Sequence, residues 1–352
     1  MVGEPDRPRS GSGKRQLHLG IIGFGQLAQN YYVPALRSMT PGVVVSVADP
    51  LERSRAAARR ALPDACVYDD YRELLARQGA DGLLVASPPS SHLEIWREAA
   101  GRELPVFMEK PFLMAGELER IDPTDRAWRN LMIDFNRRFW PAYRELPTHF
   151  ANRSLGRVSD ARFTLQIDSS AWAGVGDHRS DSRQGGALYD LGSHALDLVF
   201  TTFAERPAEI LAKRSDAGTP HERIELEVGF ESDLVVHCDL AYGRRNIEKV
   251  SIRGEQGTLR LDNPNGRLWI DRASRLRRWS STGVDLTLLA YRGAFRSRSM
   301  LRFSVCAALR SFIRVLSRGG AFRPGFADAH RVARWTAAAN RSIAVGRSVS
   351  ER

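Results

Sequence analysis

Leu17-His18-Leu19-Gly20-Ile21-Ile22-Gly23-Phe24-Gly25-Gln26-Leu27-Ala28 is the stretch on which the fold turns. Six mostly apolar residues lead into a glycine turn, and apolar residues at helical spacing then run through Leu36, which reads as strand, turn and helix. Each position answers a physical demand. Gly23 permits the tight turn, Gly25 lets a pyrophosphate approach the backbone, and the small Ala28 lets the helix pack close to the strand. Phe24, Gln26 and Leu27 complete the turn, where free N–H groups at the helix start face the anion.

Working outward, the apolar run Val43 through Ala48 ends in Asp49, 24 positions beyond Gly25. A carboxylate there accepts hydrogen bonds from the adenosine ribose hydroxyls, which favours NAD, while Arg53 and Arg55 can reach a 2′-phosphate and keep NADP open. The competing reading makes Asp49 only a cap for the helix starting near Leu51. The alternation continues with a strand near Cys66 to Tyr68, a helix near Tyr71 to Arg77 and a strand at Gly82 to Ala86. The turn Ser87-Pro88-Pro89-Ser90-Ser91-His92, a helix to about Ala100 and a strand at Val106 to Met108 follow. Strands separated by helices predict a parallel sheet with right-handed crossovers. Ser87, Pro88 and the tripeptide Glu109-Lys110-Pro111 then share one carboxyl edge with Gly23 and Asp49.

Lys110 is one of four lysines, against 48 arginines, and lysine is the basic side chain whose pKa burial lowers. Taken alone, the tripeptide reads equally as a surface lysine at a strand end. His92 reads either as a cofactor-side residue at a helix start or as a helix-face histidine. A weaker helix around Ala115 to Arg129, interrupted by Asp122-Pro123, precedes Leu131-Met132-Ile133 and the segment Asp134 to Pro141, which carries the chain into a second domain.

There the periodicity changes. Ile224 to Phe230, Leu234 to Leu240, Val250 to Arg253 and Thr258 to Leu261 alternate as the strands of a largely antiparallel sheet. Before them, the segment Gln184 to Asp197 places Asp190, His194 and Asp197 at i, i+4 and i+7 on one helix face. An aspartate and a histidine one turn apart can share or relay a proton, with Asp197 orienting the histidine; the bland alternative is a half-buried face with a hydrogen-bonded histidine. Met300 to Arg318 is an amphipathic basic helix, expected to pack its apolar face on the sheet and leave Arg302, Arg310, Arg314 and Arg318 solvated. An anionic membrane or a phosphate-bearing substrate is its competing partner. Residues 264 to 299 give no clear signal.

The expected organisation is a disordered tail at 1–16, a dinucleotide-binding domain at 17–138 and a substrate-binding and oligomerisation domain at 139–352 with a last helix near 326–343. Composition fits a soluble globular chain of 352 residues, 43% hydrophobic and 26% charged. The net charge of +11 comes from arginine spread over the whole chain, which reads as composition bias and not as a nucleic-acid footprint. Cys66, Cys238 and Cys306 form neither a metal-ligand spacing nor a disulfide framework, and a reducing cytoplasm fits. The chain contains no apolar run long enough to span a membrane.

Three motifs in fixed order, Gly23-Phe24-Gly25, Glu109-Lys110-Pro111 and Gly185-Gly186 followed by Asp190-Leu191-Gly192-Ser193-His194 and Asp197, resemble the glucose-fructose oxidoreductase, inositol dehydrogenase and rhizopine-catabolism (Gfo/Idh/MocA) family. Asn136-Arg137-Arg138-Phe139 matches a further segment of it. The resemblance implies an α/β chain. It joins an N-terminal Rossmann doubly wound parallel sheet to a C-terminal α/β domain with an open, largely antiparallel sheet used for homo-oligomers, dimer or tetramer. It also implies a bound nicotinamide cofactor, no metal, and a sugar, cyclitol or sugar-nucleotide substrate whose secondary alcohol is interconverted with a ketone. Lys110, Asp190 and His194 are the catalytic candidates it marks, and Arg138 and Trp172 join them on the substrate side. A non-catalytic dinucleotide or sugar sensor of the same fold is the alternative, and loss of the lysine or histidine would be its mark.

Overall fold

The computed structural model describes residues 16–39, 43–77, 79–168, 185–262, 267–272, 275–277 and 300–351. Six parallel strands, β1 (Leu17–Ile22), β2 (Val43–Ala48), β3 (Cys66–Tyr68), β4 (Gly82–Val85), β5 (Val106–Met108) and β6 (Leu131–Ile133), lie in the order β3-β2-β1-β4-β5-β6. Helices α1 (Val33–Met39), α2 (Glu52–Ala61), α3 (Tyr71–Arg77) and α4 (His92–Ala100) make the crossovers. The order reverses between β1 and β4, and at such a switch point the carboxyl ends of the strands open a crevice.

Strands buried on both faces need apolar residues at every position, and β4 to β6 have them. Alternate residues divide between two cores. Ile22, Ala48, Val85, Met108 and Ile133 enter one, and Ile21, Val47, Leu84, Phe107 and Met132 enter the other. One residue further on, the backbone ladder continues. Gly23 donates its N–H to the Ala48 carbonyl, Ala86 to Ile22, Glu109 to Val85 and Asp134 to Met108. The row of residues at the rim of the crevice is thereby fixed by sheet register.

The second sheet begins after α5 (Pro141–Ala151) with β7 (Val158–Asp168), followed by α6 (Ser193–Thr202). It continues with β8 (Pro207–Ser215), β9 (Arg223–Phe230), β10 (Val235–Gly243), β11 (Ile247–Gly254), β12 (Gly257–Asp262), β13 (Arg267–Arg272) and β14 (Arg275–Arg277). Their order is β14-β13-β12-β11-β7-β10-β9-β8, with every neighbouring pair antiparallel except β7 and β10. Burial alternates along β9 and β10, so one face is covered and the other is wet. The cover is α6, nearly all of whose residues are buried, and α8 (Phe326–Val345).

Two expectations are amended. The weak helix at 115–129 is two short 3₁₀ turns, Ala115–Arg120 and Arg126–Asn130. Between them Asp122 accepts hydrogen bonds from the Thr124 N–H and hydroxyl, an Asx turn that stops helix propagation. The basic helix α7 (Met300–Arg318) packs on the parallel sheet and not on the second one. Its Phe312 ring lies 5.7 Å from Phe107, and Phe312 and Leu316 cover Gly82. The chain therefore returns to its first sheet after building the second; Arg310, Arg314 and Arg318 are exposed as expected, whereas Arg302 is half-buried over the Tyr31 ring. Among the described residues no helix is long and apolar enough to cross a membrane.

A buried ionic cluster joins the layers. Arg138, just past β6, donates through Nε to both Asp197 oxygens on α6 (3.1 and 2.8 Å) and through Nη2 to Asp328 at the start of α8 (2.8 Å). Burial pushes the Asp197 carboxyl up to about 6 in spite of this pairing. At Asp328, burial is outweighed by Arg138, and the carboxyl is held below its ordinary value. Truncating one member of a buried ion cluster strands the others. Asp197→Ala is expected to lower unfolding free energy by about 3 kcal/mol, the low end of the range because Asp328 remains, as read from chemical denaturation midpoints.

Candidate active site

The glycine turn is as tight as its sequence requires. Gly23 has φ +88°, and a Cβ there would sit 2.7 Å from the Ala86 carbonyl carbon and the Ser87 nitrogen, so only glycine lets β1 and β4 close at the rim. A Cβ on Gly25 would meet nothing within 4 Å, so open space stands above the exposed Gly25 and Gln26. The helix then starts with a π-wound turn, Ala28–Tyr32, before α1. Asp49, 6% exposed, accepts the Phe24 N–H at 2.7 Å and the Leu51 N–H at 2.9 Å, so it ties the two turns together. Each of its oxygens keeps a second lone pair for another donor. Open space over the turn, helix-start N–H groups and a carboxylate at the end of β2 form a donor and acceptor set that fits a dinucleotide.

Arg55 folds back over this turn. Its Nη1 donates to the Asp49 and Pro50 carbonyls (3.0 and 2.8 Å) and its Nη2 pairs with Glu52 at 2.7 Å, while Arg53 is exposed. Ser87 bonds Ser91 hydroxyl to hydroxyl at 2.7 Å beside the exposed Pro88. His92 is fully buried, with Nδ1 2.9 Å from the Pro111 carbonyl and Nε2 2.9 Å from the Ser87 carbonyl. Its ring is buried between the Ser87 turn and the Lys110-Pro111 turn, where whichever nitrogen carries the proton donates to one of these carbonyls, and it is not an open cofactor contact.

Lys110 leaves the end of β5 and crosses to the second sheet's helices. Its Nζ donates to the Asp190 carbonyl at 2.9 Å and pairs with the Asp190 Oδ1. Asp190 lies in a π-wound turn, Leu188–Gly192, that runs into α6, and the Tyr242 hydroxyl on β10 approaches its Oδ2 at 3.4 Å. Gly186, at φ +67°, opens this turn where a Cβ would press on Glu222 at 2.9 Å. The expected aspartate–histidine spacing falls across a π-wound turn and not a regular α-helix, and the Asp190 carboxylate turns to Lys110, whose charge also acts on His194.

His194 is 5% exposed, and its Nδ1 is buried without a hydrogen-bond partner among the described residues. Burial, reinforced by the Arg137 and Lys110 charges, holds its imidazole well below the ordinary value, so the ring is neutral at physiological pH. Arg137 is itself paired, with Glu248 on β11, and the Tyr143 hydroxyl also donates to Glu248 at 3.1 Å. Two expectations fail on charge pairing. Asp197 does not orient His194, and Arg138 is not offered to a substrate, because the two bind each other. Trp172 lies outside the described residues. Arg137, Glu248 and Tyr242 were missed as site residues. Arg137 stood in a motif that drew attention to its neighbour, and Tyr242 ends an ordinary strand.

A crevice at a topological switch point, a glycine turn and a lysine beside a neutral histidine define an oxidoreductase of the dinucleotide-binding class. The family profile described as "Oxidoreductase family, NAD-binding Rossmann fold" matches residues 17–127, and that of the GFO/IDH/MocA C-terminal domain matches residues 143–260. The chain belongs to the Gfo/Idh/MocA family and is an NAD-binding oxidoreductase. It is 32% identical over 262 residues to an inositol 2-dehydrogenase of Gluconacetobacter diazotrophicus, covering 70% of this chain and 74% of that one. Its fold is similar to a myo-inositol dehydrogenase of Corynebacterium glutamicum (TM-score 0.73, 19% identity, 95% and 98% of the two chains). A levoglucosan dehydrogenase in complex with NADH is likewise similar (TM-score 0.78, 19% identity, 96% and 99%).

The neutral histidine has a consequence for stability. A group whose folded pKa is depressed contributes stability above its unfolded value, and loses it as pH falls towards the folded one. Unfolding midpoints should therefore fall as pH drops below about 6.5, and His194→Gln should flatten that slope.

Proposed function

We propose that this chain interconverts a secondary alcohol and a ketone on a polyhydroxylated small molecule, a sugar, cyclitol or sugar nucleotide. The observation that carries this reading is a lysine ammonium anchored by Asp190 beside a neutral, buried histidine, at the sheet edge that also holds the glycine turn. Oxidising an alcohol requires removal of a hydroxyl proton and of a hydride from the same carbon. Bound NAD supplies the hydride acceptor.

This chain's own residues handle the proton and the charge. His194 takes the hydroxyl proton, a task for which its unprotonated imidazole is ready. Lys110 places its positive charge at the oxygen, where an alkoxide develops, and works in a partly dehydrated site where such a charge counts for more than in water. Asp190, bonded to Lys110 through both its carbonyl and its carboxylate, fixes where that charge points. In the reverse direction the same pair protonates the ketone oxygen. Gly23, Phe24, Gly25, Gln26 and Leu27 would hold the pyrophosphate and Asp49 the ribose. Ser87 and Pro88 would border the nicotinamide half, and Glu109 would do so only through its backbone, since its side chain turns to Tyr32. Inositol and levoglucosan dehydrogenases among the similar proteins support a polyol substrate.

The test is a panel of cyclitols, sugars and sugar nucleotides with NAD, followed by reduced-nicotinamide absorbance. Lys110→Ala and His194→Ala should each cost about 10²-fold or more in kcat on the substrate found. Near wild-type turnover in both would overturn the assignment.

A further inference from the structure

Beneath Lys110, on the opposite face of the sheet, lie two acids that the reaction above does not use as acids. Glu109 and Asp134 follow β5 and β6, whose register pairs Met108 with Ile133. The next residues are therefore neighbours in one row, and the Asp134 N–H donates to the Met108 carbonyl at 2.8 Å. Side chains of one row in a parallel sheet share a face. This row follows Phe107 and Met132 onto the face covered by α1 and α7. Asp134 is fully buried, and among the described residues no donor reaches either of its oxygens in full hydrogen-bond geometry, although the Asn136 amide faces it. Glu109 accepts the Tyr32 hydroxyl on Oε1 at 2.6 Å.

A carboxylate stripped of water and given no well-aligned donor is too costly to remain charged. Two adjacent carboxyls resolve this by sharing a proton. The charge count agrees. The Lys110 cation already neutralises Asp190, and two further buried anions would leave three negative charges against one positive. The groups facing the pair are Tyr32 from the α1 side, Lys110 from the turn after β5 and the Asn136 amide from the turn after β6. α7 closes the face with Phe312 against Phe107.

We propose that Glu109 and Asp134 form a carboxyl pair that binds one proton, carried by Asp134 and accepted by Glu109, and that this proton keeps a second negative charge away from Lys110. The pair is a positioning device for the charge at the reacting oxygen, and in this it rests on the reading under Proposed function. Burial, then the neighbouring Glu109 charge, pushes the Asp134 carboxyl well above its ordinary value, and burial raises Glu109 as well. Above the pair's ionisation the proton leaves to solvent. The added negative charge then opposes the developing alkoxide.

Infrared spectroscopy of the full chain without substrate reads the proton directly. The wild type should show the carbonyl stretch of a buried protonated carboxyl at neutral pH, and Asp134→Asn and Glu109→Gln should each remove it, since an amide then donates to the remaining carboxylate. A folded-state pKa raised above the unfolded one gives stability that is lost as pH rises through the folded value. Wild-type unfolding midpoints should accordingly fall on the alkaline side, and Asp134→Asn should flatten that fall. In turnover, the wild-type rate of alcohol oxidation should drop about tenfold per pH unit above the pair's ionisation, and Asp134→Asn should shift that limb to higher pH. A wild type without the infrared band, or a band that persists in both variants, overturns the proposal. A band that behaves as expected in a protein that oxidises none of the panel overturns the positioning role and the assigned reaction, and leaves the shared proton standing.

Discussion

The contact between Lys110 and Asp190 is the constraint that organises the rest. It joins the end of β5 in the parallel sheet to the turn before α6 over the second sheet, so neither half of the crevice has its geometry without the other. Both side chains are about seven-eighths buried, and stripping two charges of water is repaid only when the remaining hydrogen-bonding capacity is met. Here the Asp190 carbonyl and the Tyr242 hydroxyl meet it. An apolar pair of similar shape would serve stability as well. What an apolar pair would not supply is a positive charge held at the rim of a dinucleotide crevice.

Around that contact the charges are sorted by layer. Arg138, Asp197 and Asp328 form a closed cluster between helices, and Arg137 with Glu248 forms another between the β6 turn and β11. Each cluster is structural by its own pairing, and Arg137 acts further on its surroundings. Together with Lys110 it surrounds His194 with positive charge, and this adds to burial in keeping the imidazole unprotonated. A histidine flanked by cations is kept free to accept a proton, although the same charges make it a weaker base.

Much of this was legible in the sequence, and for identifiable reasons. The glycine turn and the run of apolar strands announce the parallel sheet because a buried strand and a tight turn leave few residue choices, as at Gly23. Lys110 and His194 were found because of their motifs. What escaped was whatever depends on partners far apart in the chain. Arg138 and Asp197 are 59 positions apart, and Arg137 and Glu248 are 111 apart. Local spacing therefore offered Asp197 to His194, and the resemblance offered Arg138 to a substrate, when each was already the other's partner. The π-wound turn at Leu188–Gly192 escaped for a different reason, since the sequence reads as an ordinary helix there.

The return of α7 to the parallel sheet explains how acids come to lie under the site. A helix laid over β4 and β5, with Phe312 against Phe107 and Leu316 over Gly82, seals the face onto which Glu109 and Asp134 turn. Were that face open, two carboxylates side by side would be hydrated and unremarkable. Closed by α1 and α7, with Tyr32 the one hydroxyl donor to Glu109 among the described residues, the same two residues hold a proton or pull water into the core. The segment that reads most like a surface helix in the sequence thus helps to set the electrostatics on the hidden side of the sheet, opposite the lysine.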